Sequence, residues 1–396
     1  MKISFVTSVE DFNGHGGGNQ RSKCFFDALK SLENESYTLE NIVIPFSMFD
    51  DLEVTGVTHQ YMANDIEFAM RLSFALENEH KSALEILSKI SDSDFVVLDN
   101  CYHFPLIETL RAKLFVSPKV IYLSHNYESI LKSEIAESLS WESDSKKRYL
   151  AFIRNLELST WSNSDFRIVC SEEDSRNLNQ EFKTPLKSIL IPNGANKKGS
   201  SGSDHATYLA AMGFESYVLF VSSGHPPNVK GFMDILGSDF GFIPPNSRLV
   251  IVGTSGPIIR DSFLGTKYWE TFRHRITIMD HATEHELDNL YAHCSAILLP
   301  ILQGSGTSIK AIEAILTGKK IIGTDFAFRG LPQETFGPPQ VSIAKSPHEF
   351  KLKIIESLHN GILDFEPHRI ANTYLWSSLF TDARNLLNRI IRKELD

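Results

Sequence analysis

The feature that most constrains the fold is a repeated alternation of short apolar runs with segments of helical periodicity. In chain order the runs are KISFVTS, DFVVLDN, KVIYLSH, FRIVCS, SILIPNG, YVLFVSS, RLVIVGT, RITIMD, AILLP and KKIIGT. Continuous apolar strands separated by amphipathic helices are typical of parallel sheets that helices cover on both faces. The sequence therefore predicts an α/β fold throughout.

The runs fall into two sets, which points to two domains. The segment GANKKGSSGSDHATYLAAMG separates the sets, and its Gly/Ser-rich opening is typical of a linker. Single cores stop growing near about 250–300 residues, and this chain has 396. We expect a first domain over 1–195, a linker over 196–213 and a second domain over 214–373. Apolar residues at helical spacing predict a closing helix over 374–396 that packs back on the first domain.

Composition excludes several classes of protein. Acidic residues outnumber basic ones by 49 to 39, which argues against a nucleic-acid partner because a phosphate backbone requires a basic surface. The four cysteines are scattered in apolar contexts, which favours a reducing compartment. We find no secretory h-region and no run of 18 apolar residues, so we expect a cytoplasmic protein without a membrane span.

One basic run has two interpretations. Lys146, Lys147 and Arg148 occur together in a helical segment. The first interpretation is a solvated helix face. The alternative is peripheral contact with an anionic membrane surface, at the inner face of the membrane.

A glycine-rich run follows AILLP and leads into a helical segment. Gly304, Ser305, Gly306 and Thr307 lack bulk, and the apolar residues that follow, from Ile309 to Leu316, have helical spacing. Unpaired N–H groups and the dipole at a helix start attract phosphate. The run does not have the Walker A order, which excludes a P-loop ATPase here. Close packing without a ligand is the alternative.

Glu313 lies six residues beyond Thr307 on the same predicted helix. At 1.5 Å per residue this spacing is about 9 Å, which is of the order of the distance from the distal phosphate to the ribose of a nucleoside diphosphate. A carboxylate there can accept hydrogen bonds from both ribose hydroxyls. The alternative is a solvated acid paired with Lys310 at i, i+3.

Taken in order, several stretches resemble the retaining glycosyltransferases of family 4, which have the GT-B fold of two facing Rossmann-like domains with a cleft between them. The stretches are GSGTSIKAIEAILTGKKIIGTDFAFRGL, ISFVTS with GGGNQR, VIYLSHN, LELSTWSNSDFRIVCSEEDSRNL, LIPNGA and LFVSSGHPPNVKG. The resemblance covers most of the chain, and the ordered set is far more specific than any one motif.

The chain departs from this family at two positions. Ser305 stands where the first glutamate of a Glu-x7-Glu pair is frequent, and His225 stands where an arginine is common before the loop lysine. A neutral imidazole is a weaker phosphate ligand than a guanidinium, so Lys230 and Lys310 are expected to neutralise more of the phosphate charge.

The resemblance implies transfer of a sugar from a nucleoside-diphosphate sugar to a glycan, lipid-linked or glycoprotein acceptor, as in polysaccharide biosynthesis at the cell envelope. It implies retention of configuration, with no metal and no other cofactor. Catalytic roles fall to His125, beside the transferred sugar, and to Lys230 and Glu313. The donor-binding residues that it implies are Gly16, Gly17, Gly18, His225, Lys230, Met279, Asp280, Gly304, Ser305, Gly306, Thr307, Lys310 and Glu313. Its acceptor-binding residues are His15 and Asn126.

Other functions stay open at this point. Ser305 and His225 are compatible with a non-catalytic GT-B protein that binds a partner. A GT-B-fold nucleotide-sugar epimerase and a phosphorylase with a lysine-bound pyridoxal cofactor are further alternatives. His281 and His285 have the i, i+4 spacing of a metal pair, but we interpret them as an exposed helix start, since no third ligand accompanies them.

Overall fold

The computed structural model describes residues 1–12, 17–34, 37–183, 187–199, 204–303 and 307–392. The chain divides into two compact units. Unit 1 comprises Met1–Asn193 and Trp376–Asp396, and unit 2 comprises Gly194–Leu375. The division falls two residues before the expected end of the first domain, and the C-terminal segment belongs to unit 1.

Unit 1 is built on a parallel sheet with the strand order β2-β1-β3-β4-β5-β6 among the described residues. The strands are β1 (Lys2–Thr7), β2 (Thr38–Val43), β3 (Phe95–Asp99), β4 (Lys119–Leu123), β5 (Phe166–Val169) and β6 (Ile189–Leu190). The helices are α1 (Gly17–Lys30), α2 (Asn64–Glu77), α3 (Lys81–Ile90), α4 (Phe104–Lys113), α5 (Glu128–Ser138), α6 (Ser143–Asn163) and α7 (Glu172–Phe182), with a 3-10 turn at Cys101–His103.

Helices cover both faces of this sheet. On one face, Phe25 and Leu29 of α1 pack with Leu387 of the C-terminal helix Trp376–Ile391. On the other face, α2, α3, α4 and α6 bury a second apolar cluster that includes Phe68 and Trp161. Because the inner strands are buried on both sides, their sequences are continuous apolar runs rather than alternating ones.

Unit 2 has a second parallel sheet, with the order β12-β11-β10-β7-β8-β9 among the described residues. Its strands are β7 (Ser216–Val221), β8 (Ser247–Val252), β9 (Ile276–Met279), β10 (Ala296–Leu299), β11 (Ile321–Gly323) and β12 (Val341–Ile343). Its helices are α8 (His205–Met212), α9 (Pro226–Leu236), α10 (Ser255–Phe263), α11 (Lys267–Phe272), α12 (Glu284–His293), α13 (Ile309–Leu316) and α14 (Pro347–Asn360); the C-terminal helix of unit 1 is α15 (Trp376–Ile391). Short 3-10 turns lie at Arg273–Arg275, Asp325–Phe328, Gln333–Thr335 and Arg369–Tyr374.

This sheet also has an apolar cluster on each face. Helices α8, α12 and α13 contribute to the first cluster, which includes Tyr291 and Ile312. Helices α9, α10 and α14 contribute to the second, which includes Phe232 and Phe350. Both units are therefore three-layered α/β structures, as the alternation in the sequence predicts.

The segment expected to be a linker contains a helix. Residues 200–203 lie outside the described residues, but α8 occupies the second half of the segment. Asp204 caps α8 by accepting a hydrogen bond from the Thr207 amide at 3.1 Å, and Gly213 ends it in the left-handed conformation. In the sequence, the helix start at Asp204 and the helix stop at Gly213 are difficult to recognise because the preceding residues are rich in Gly and Ser.

In both sheets the strand order reverses once, and each reversal predicts where a ligand binds. The reversal lies between β1 and β3 in unit 1 and between β7 and β10 in unit 2. Ligands of open parallel sheets bind beyond the carboxyl ends of the strands at such points. None of the described helices has the length and the apolar character that crossing a membrane requires.

Candidate functional site

The carboxyl end of β7 is held tightly against β8. Gly253 has φ +102°, and a β-carbon there would lie 2.4 Å from the Ser222 carbonyl oxygen. The Ser255 hydroxyl donates to the same carbonyl at 2.9 Å. Only glycine combines this backbone conformation with so close an approach, so the loop that leaves β7 has a fixed starting point.

Helix α9 begins in that loop and packs directly on the end of β10. His225 is the N-cap of α9, and the Asn228 side-chain amide donates to the Ser223 carbonyl at 3.2 Å. A β-carbon on Gly231 would lie 2.2 Å from the carbonyl oxygen of Pro300, the residue after β10. Glycine at this position lets α9 lie against the strand end, which brings the loops after β7 and β10 together.

Lys310 connects these two loops. Its Nζ donates to the Asn228 side-chain oxygen at 3.0 Å, so a residue of α13 bonds to a residue of α9. Burial lowers the pKa of Lys310 to about 8; the positive charge of Arg329 also lowers it, and Glu313 opposes the shift. A lysine in this state gains from a bound anion, because the anion favours its charged form.

The glycine run before α13 is only partly described. Gly304, Ser305 and Gly306, which the sequence analysis proposes as phosphate ligands, lie outside the described residues. Thr307 and Ser308 are buried, and the Ser308 hydroxyl caps α13 by accepting from the Ala311 amide at 3.4 Å. Among the described residues, the Gln303 Oε1 atom is buried without a hydrogen-bond partner.

Glu313 lies farther along α13 and is partly buried. Its carboxylate accepts a hydrogen bond from the Tyr291 hydroxyl at 3.3 Å. Burial raises the pKa of Glu313 above its usual value, although Lys198, Tyr291 and Lys310 oppose the shift. The acid is therefore oriented by a buried tyrosine, unlike a freely solvated surface glutamate.

Lys230 is less constrained than Lys310. It is exposed on α9 and forms an ion pair with Asp234 one turn along the helix, at 2.6 Å. Exposed i, i+4 pairs contribute only tenths of a kcal/mol, so an anionic ligand can compete with Asp234 for this ammonium group.

Met279 and Asp280 stand at the end of β9, the edge strand of the sheet. The Met279 carbonyl accepts from the Gly253 amide at 2.8 Å, and Asp280 is exposed. Strand β8 separates their strand from β7, which carries the α9 loop.

In unit 1, a buried carboxylate holds His125 at the strand reversal. Asp99 ends β3, and its Oδ1 atom lies 2.7 Å from His125 Nε2, directly after β4. The Thr7 hydroxyl at the end of β1 donates to Asp99 Oδ2 at 2.5 Å. Burial raises the pKa of Asp99, but the charge of His125 and hydrogen bonds from His125, Thr7 and Ser22 outweigh it, so the net pKa is below the usual value.

This bond also sets the direction of the other imidazole nitrogen. An ionised Asp99 can only accept, so Nε2 donates to it, and in the neutral imidazole Nδ1 is then the acceptor. A β-carbon on Gly18 would lie 3.6 Å from Nδ1. Nδ1 of His125 therefore lies toward the first turn of α1, which begins at Gly17.

Of the two residues predicted to bind the acceptor, the structure describes only Asn126. His15 lies outside the described residues, as does Gly16 of the donor set. Asn126 is engaged within its own loop: its side-chain amide donates to Glu128 at 3.2 Å, and its carbonyl accepts from the Ser124 hydroxyl at 3.0 Å. Asn126 thus helps to shape the loop that carries His125.

The basic run on α6 makes contacts within unit 1. Lys146 lies 3.6 Å from Glu137, and Arg148 lies against Gly56, where a β-carbon would be 2.9 Å from a guanidinium nitrogen. Lys147 is exposed. Two of the three cations are therefore partly occupied by contacts of their own unit.

The described residues contain no group of three or more His, Cys, Asp or Glu side chains that could hold a metal ion. His281 is exposed before α12 and His285 is exposed within its first turn; a capping box between Thr283 and Glu286 starts this helix.

Sequence reasoning missed Asp99, Tyr291 and Arg329. Asp99 had a usable signal, because it is an acid at the carboxyl end of a predicted strand, DFVVLD. Tyr291 and Arg329 had none, since their contacts depend on how helices and strands pack in three dimensions. Asp99 and His125, which are bonded, follow different strands, and so do Arg329 and Lys310, whose pKa the Arg329 charge lowers.

Comparison with known proteins agrees with the fold. The sucrose-phosphate synthase of Thermosynechococcus elongatus superposes with a TM-score of 0.67 at 15% identity, over 99% of both chains. HepE of Anabaena, solved with UDP and glucose, gives 0.58 at 15% identity over 100% of this chain and 99% of its own. The lipopolysaccharide outer core galactosyltransferase WaaB gives 0.54 at 11% identity over 100% of both chains.

Sequence comparison covers a smaller part of the chain. Among curated proteins, no sequence matches it. Residues 215–360, within unit 2, match the family model described as Glycosyl transferases group 1. The architecture is thus the GT-B fold of glycosyltransferases, with the family match confined to unit 2.

Proposed function

We propose that this chain is a retaining glycosyltransferase of family 4 that uses a nucleoside-diphosphate sugar as donor. The observation that carries the proposal is the bond between Asn228 on α9, which follows β7, and Lys310 on α13, which follows β10, with Glu313 three residues farther along α13. These two strands lie at the strand reversal of unit 2, where parallel sheets bind ligands. The family match over residues 215–360 and the UDP complex of the neighbour HepE support it.

The donor diphosphate is proposed to bind Lys310 and the backbone at the start of α13. Its negative charge grows as the sugar leaves, so preorganised donors and cations there stabilise the transition state more than the ground state. Lys230 joins Lys310 when the ligand displaces Asp234 from it. His225, at the N-cap of α9, is the fourth proposed phosphate contact.

The ribose is proposed to bind Glu313. The Tyr291 hydroxyl occupies one site on Glu313 Oε2, and a carboxylate has further lone pairs for the two ribose hydroxyls. Met279 and Asp280 are the proposed contacts of the base.

His125 is proposed to contact the transferred sugar, and Asn126 the acceptor. Asp99 keeps the acceptor atom Nδ1 of His125 in one direction, so its role is positioning. The acceptor is proposed to be a glycan, a lipid-linked sugar or a glycoprotein, with retention of configuration and without a metal. We place this reaction in polysaccharide biosynthesis at the cell envelope.

A thermal-shift screen followed by a turnover assay tests the function. The screen compares UDP, GDP and ADP with their monophosphates, and begins with UDP because HepE was solved with it. A ligand that binds only the folded state raises the melting temperature. We expect one diphosphate to do so, with the effect lost in Lys310→Met and kept in Glu356→Ala, an exposed position on α14. No shift with any nucleotide would contradict the proposal.

The turnover assay separates this function from its rivals. A transferase consumes the matching nucleotide sugar and releases the nucleoside diphosphate only with sugar transfer to an acceptor or to water. An epimerase changes the sugar without any acceptor, and a binding protein consumes no donor at all.

A further inference from the structure

Three neighbouring strands of unit 2 are each followed by a segment that carries a polar or cationic residue. The sheet runs β11-β10-β7 at the reversal. Asn228 follows β7 and Lys310 follows β10, and the two are bonded at 3.0 Å. Arg329 follows β11, after the 3-10 turn Asp325–Phe328. Because carboxyl ends of parallel strands share one edge of a sheet, all three residues lie on the side of unit 2 where the donor is proposed to bind.

The position of Arg329 is fixed by the turn that precedes it. Thr324 bonds to the end of β10 twice: its amide donates to the Leu299 carbonyl at 3.2 Å, and its hydroxyl donates to the Ile301 carbonyl. The Arg329 guanidinium stacks over the Phe326 ring, 4.7 Å from its centroid, and donates to the Phe326 carbonyl at 3.4 Å. The cation is therefore partly buried and held in place before any ligand binds.

Arg329 and Lys310 are like charges that act on each other. Burial lowers the pKa of Lys310, and Arg329 lowers it further. Glu313, on the same helix as Lys310, opposes this shift in the pKa of Lys310. Glu313 also interacts with the positive charge of Lys198. An anion bound at Lys310 favours its charged form and therefore opposes the effects of both burial and Arg329.

We propose that Arg329 is a ligand of the donor diphosphate, and that it supplies from β11 the guanidinium which His225 does not supply from β7. The inference rests on the proposed function and deepens it. A guanidinium is planar and can bond two phosphate oxygens at once, whereas an ammonium binds as a point charge. Arg329 and Lys310 together then offer the diphosphate one bidentate and one simple cationic contact.

The test compares Arg329→Gln, Arg329→Lys and a control, Arg260→Gln. Arg260 is exposed on α10 and pairs with Asp261 at 2.9 Å, so it carries the same charge change outside the site. UDP binding is measured by calorimetry and uridine binding by ligand-observed NMR. If the screen selects GDP or ADP, that diphosphate and its nucleoside replace them.

We expect Arg329→Gln to weaken UDP binding by at least about 10-fold to 100-fold, the range for a single charge-assisted bond, and to leave uridine binding unchanged. Arg329→Lys keeps the charge, so its loss should be smaller. Arg260→Gln should bind both ligands as the wild type does. Calorimetry in buffers of different ionisation enthalpy should show proton uptake on UDP binding near pH 8, because an anion raises the pKa of Lys310.

Each contrary result has a distinct meaning. If Arg329→Gln binds UDP like Arg260→Gln, or loses UDP and uridine equally, Arg329 is not a phosphate ligand, although the proposed function stands. If both Arg329 variants lose binding together with a lowered melting temperature, Arg329 has a structural role and the inference is wrong. If the wild type binds no nucleoside diphosphate, the proposed function and the inference fail together.

Discussion

Removing the carboxylate of Glu313 is expected to abolish recognition of the ribose. In the proposed complex Glu313 accepts two hydrogen bonds, and a bond to a charged group contributes about 1.5–3 kcal/mol. At the lower figure two bonds contribute about 3 kcal/mol, so Glu313→Ala should weaken UDP binding by roughly 150-fold. Glu313→Gln keeps one acceptor oxygen and should lose less. Glu313→Ala removes the acceptor of the buried Tyr291 hydroxyl, so the melting temperature of each variant is measured alongside to show that it is folded.

The assay is a cycle of two proteins and two ligands, UDP and 2′-deoxy-UDP, measured by calorimetry. The wild type should bind the deoxy ligand at least about tenfold more weakly, since one bond to the carboxylate is missing. Glu313→Ala should bind both ligands equally, because the partner of the hydroxyl is gone. Burial raises the pKa of Glu313. As the pH is lowered, Glu313 should therefore be protonated, and UDP affinity should fall, at a higher pH than for a glutamate with the usual pKa.

One outcome refutes the assignment. If Glu313→Ala still prefers UDP to 2′-deoxy-UDP as strongly as the wild type does, another residue binds the ribose. Glu356→Ala is the matched control, since it removes an exposed glutamate of unit 2 and should not change either affinity.

Three further predictions concern unit 1 and the packing of α9. Asp99→Asn keeps the shape but loses the charge that orients His125, so kcat should fall about 10-fold to 100-fold with donor affinity unchanged; a change confined to KM would contradict this role. Gly231→Ala places a β-carbon 2.2 Å from the Pro300 carbonyl, so urea denaturation should show a loss of about 1–3 kcal/mol; unchanged stability would contradict the close packing. Burial lowers the pKa of His103 from 6.5 to about 4. The native state therefore binds fewer protons than the unfolded state between these values, and stability should decline by roughly 3 kcal/mol as the pH falls through them, with a shallower decline in His103→Gln.

The interior strands are predictable from sequence for a physical reason. A parallel strand buried on both faces must be apolar at every position, and each of the ten runs KISFVTS to KKIIGT contains all or most of a strand. The two strands that sequence reasoning missed, β2 and β12, each lie at one edge of their sheet, whereas the opposite edges, β6 and β9, coincide with apolar runs. Strand β2 is exposed or partly exposed at most positions, so its sequence, TLENIV, has no continuous apolar run.

The candidate site likewise has residues that the sequence predicts and contacts that it does not. Lys310 and Glu313 lie on one helix, where the rise per residue fixes their spacing, so the sequence indicates both. The bond between Asp99 and His125, and the effect of the Arg329 charge on Lys310, each involve residues that follow different strands. The order of strands in a sheet is not encoded in local periodicity, and these pairs become evident only once the sheet is assembled.

The most direct test of the account is the release of nucleoside diphosphate from a panel of nucleotide sugars, measured by chromatography of the nucleotide products. The account predicts that the wild type and Glu356→Ala consume one donor class and release its diphosphate, and that Glu313→Ala does not. Equal release by Glu313→Ala, or no consumption of any donor by a wild type that binds the diphosphate, would contradict the claim that this chain transfers sugar from a donor bound at β7 and β10.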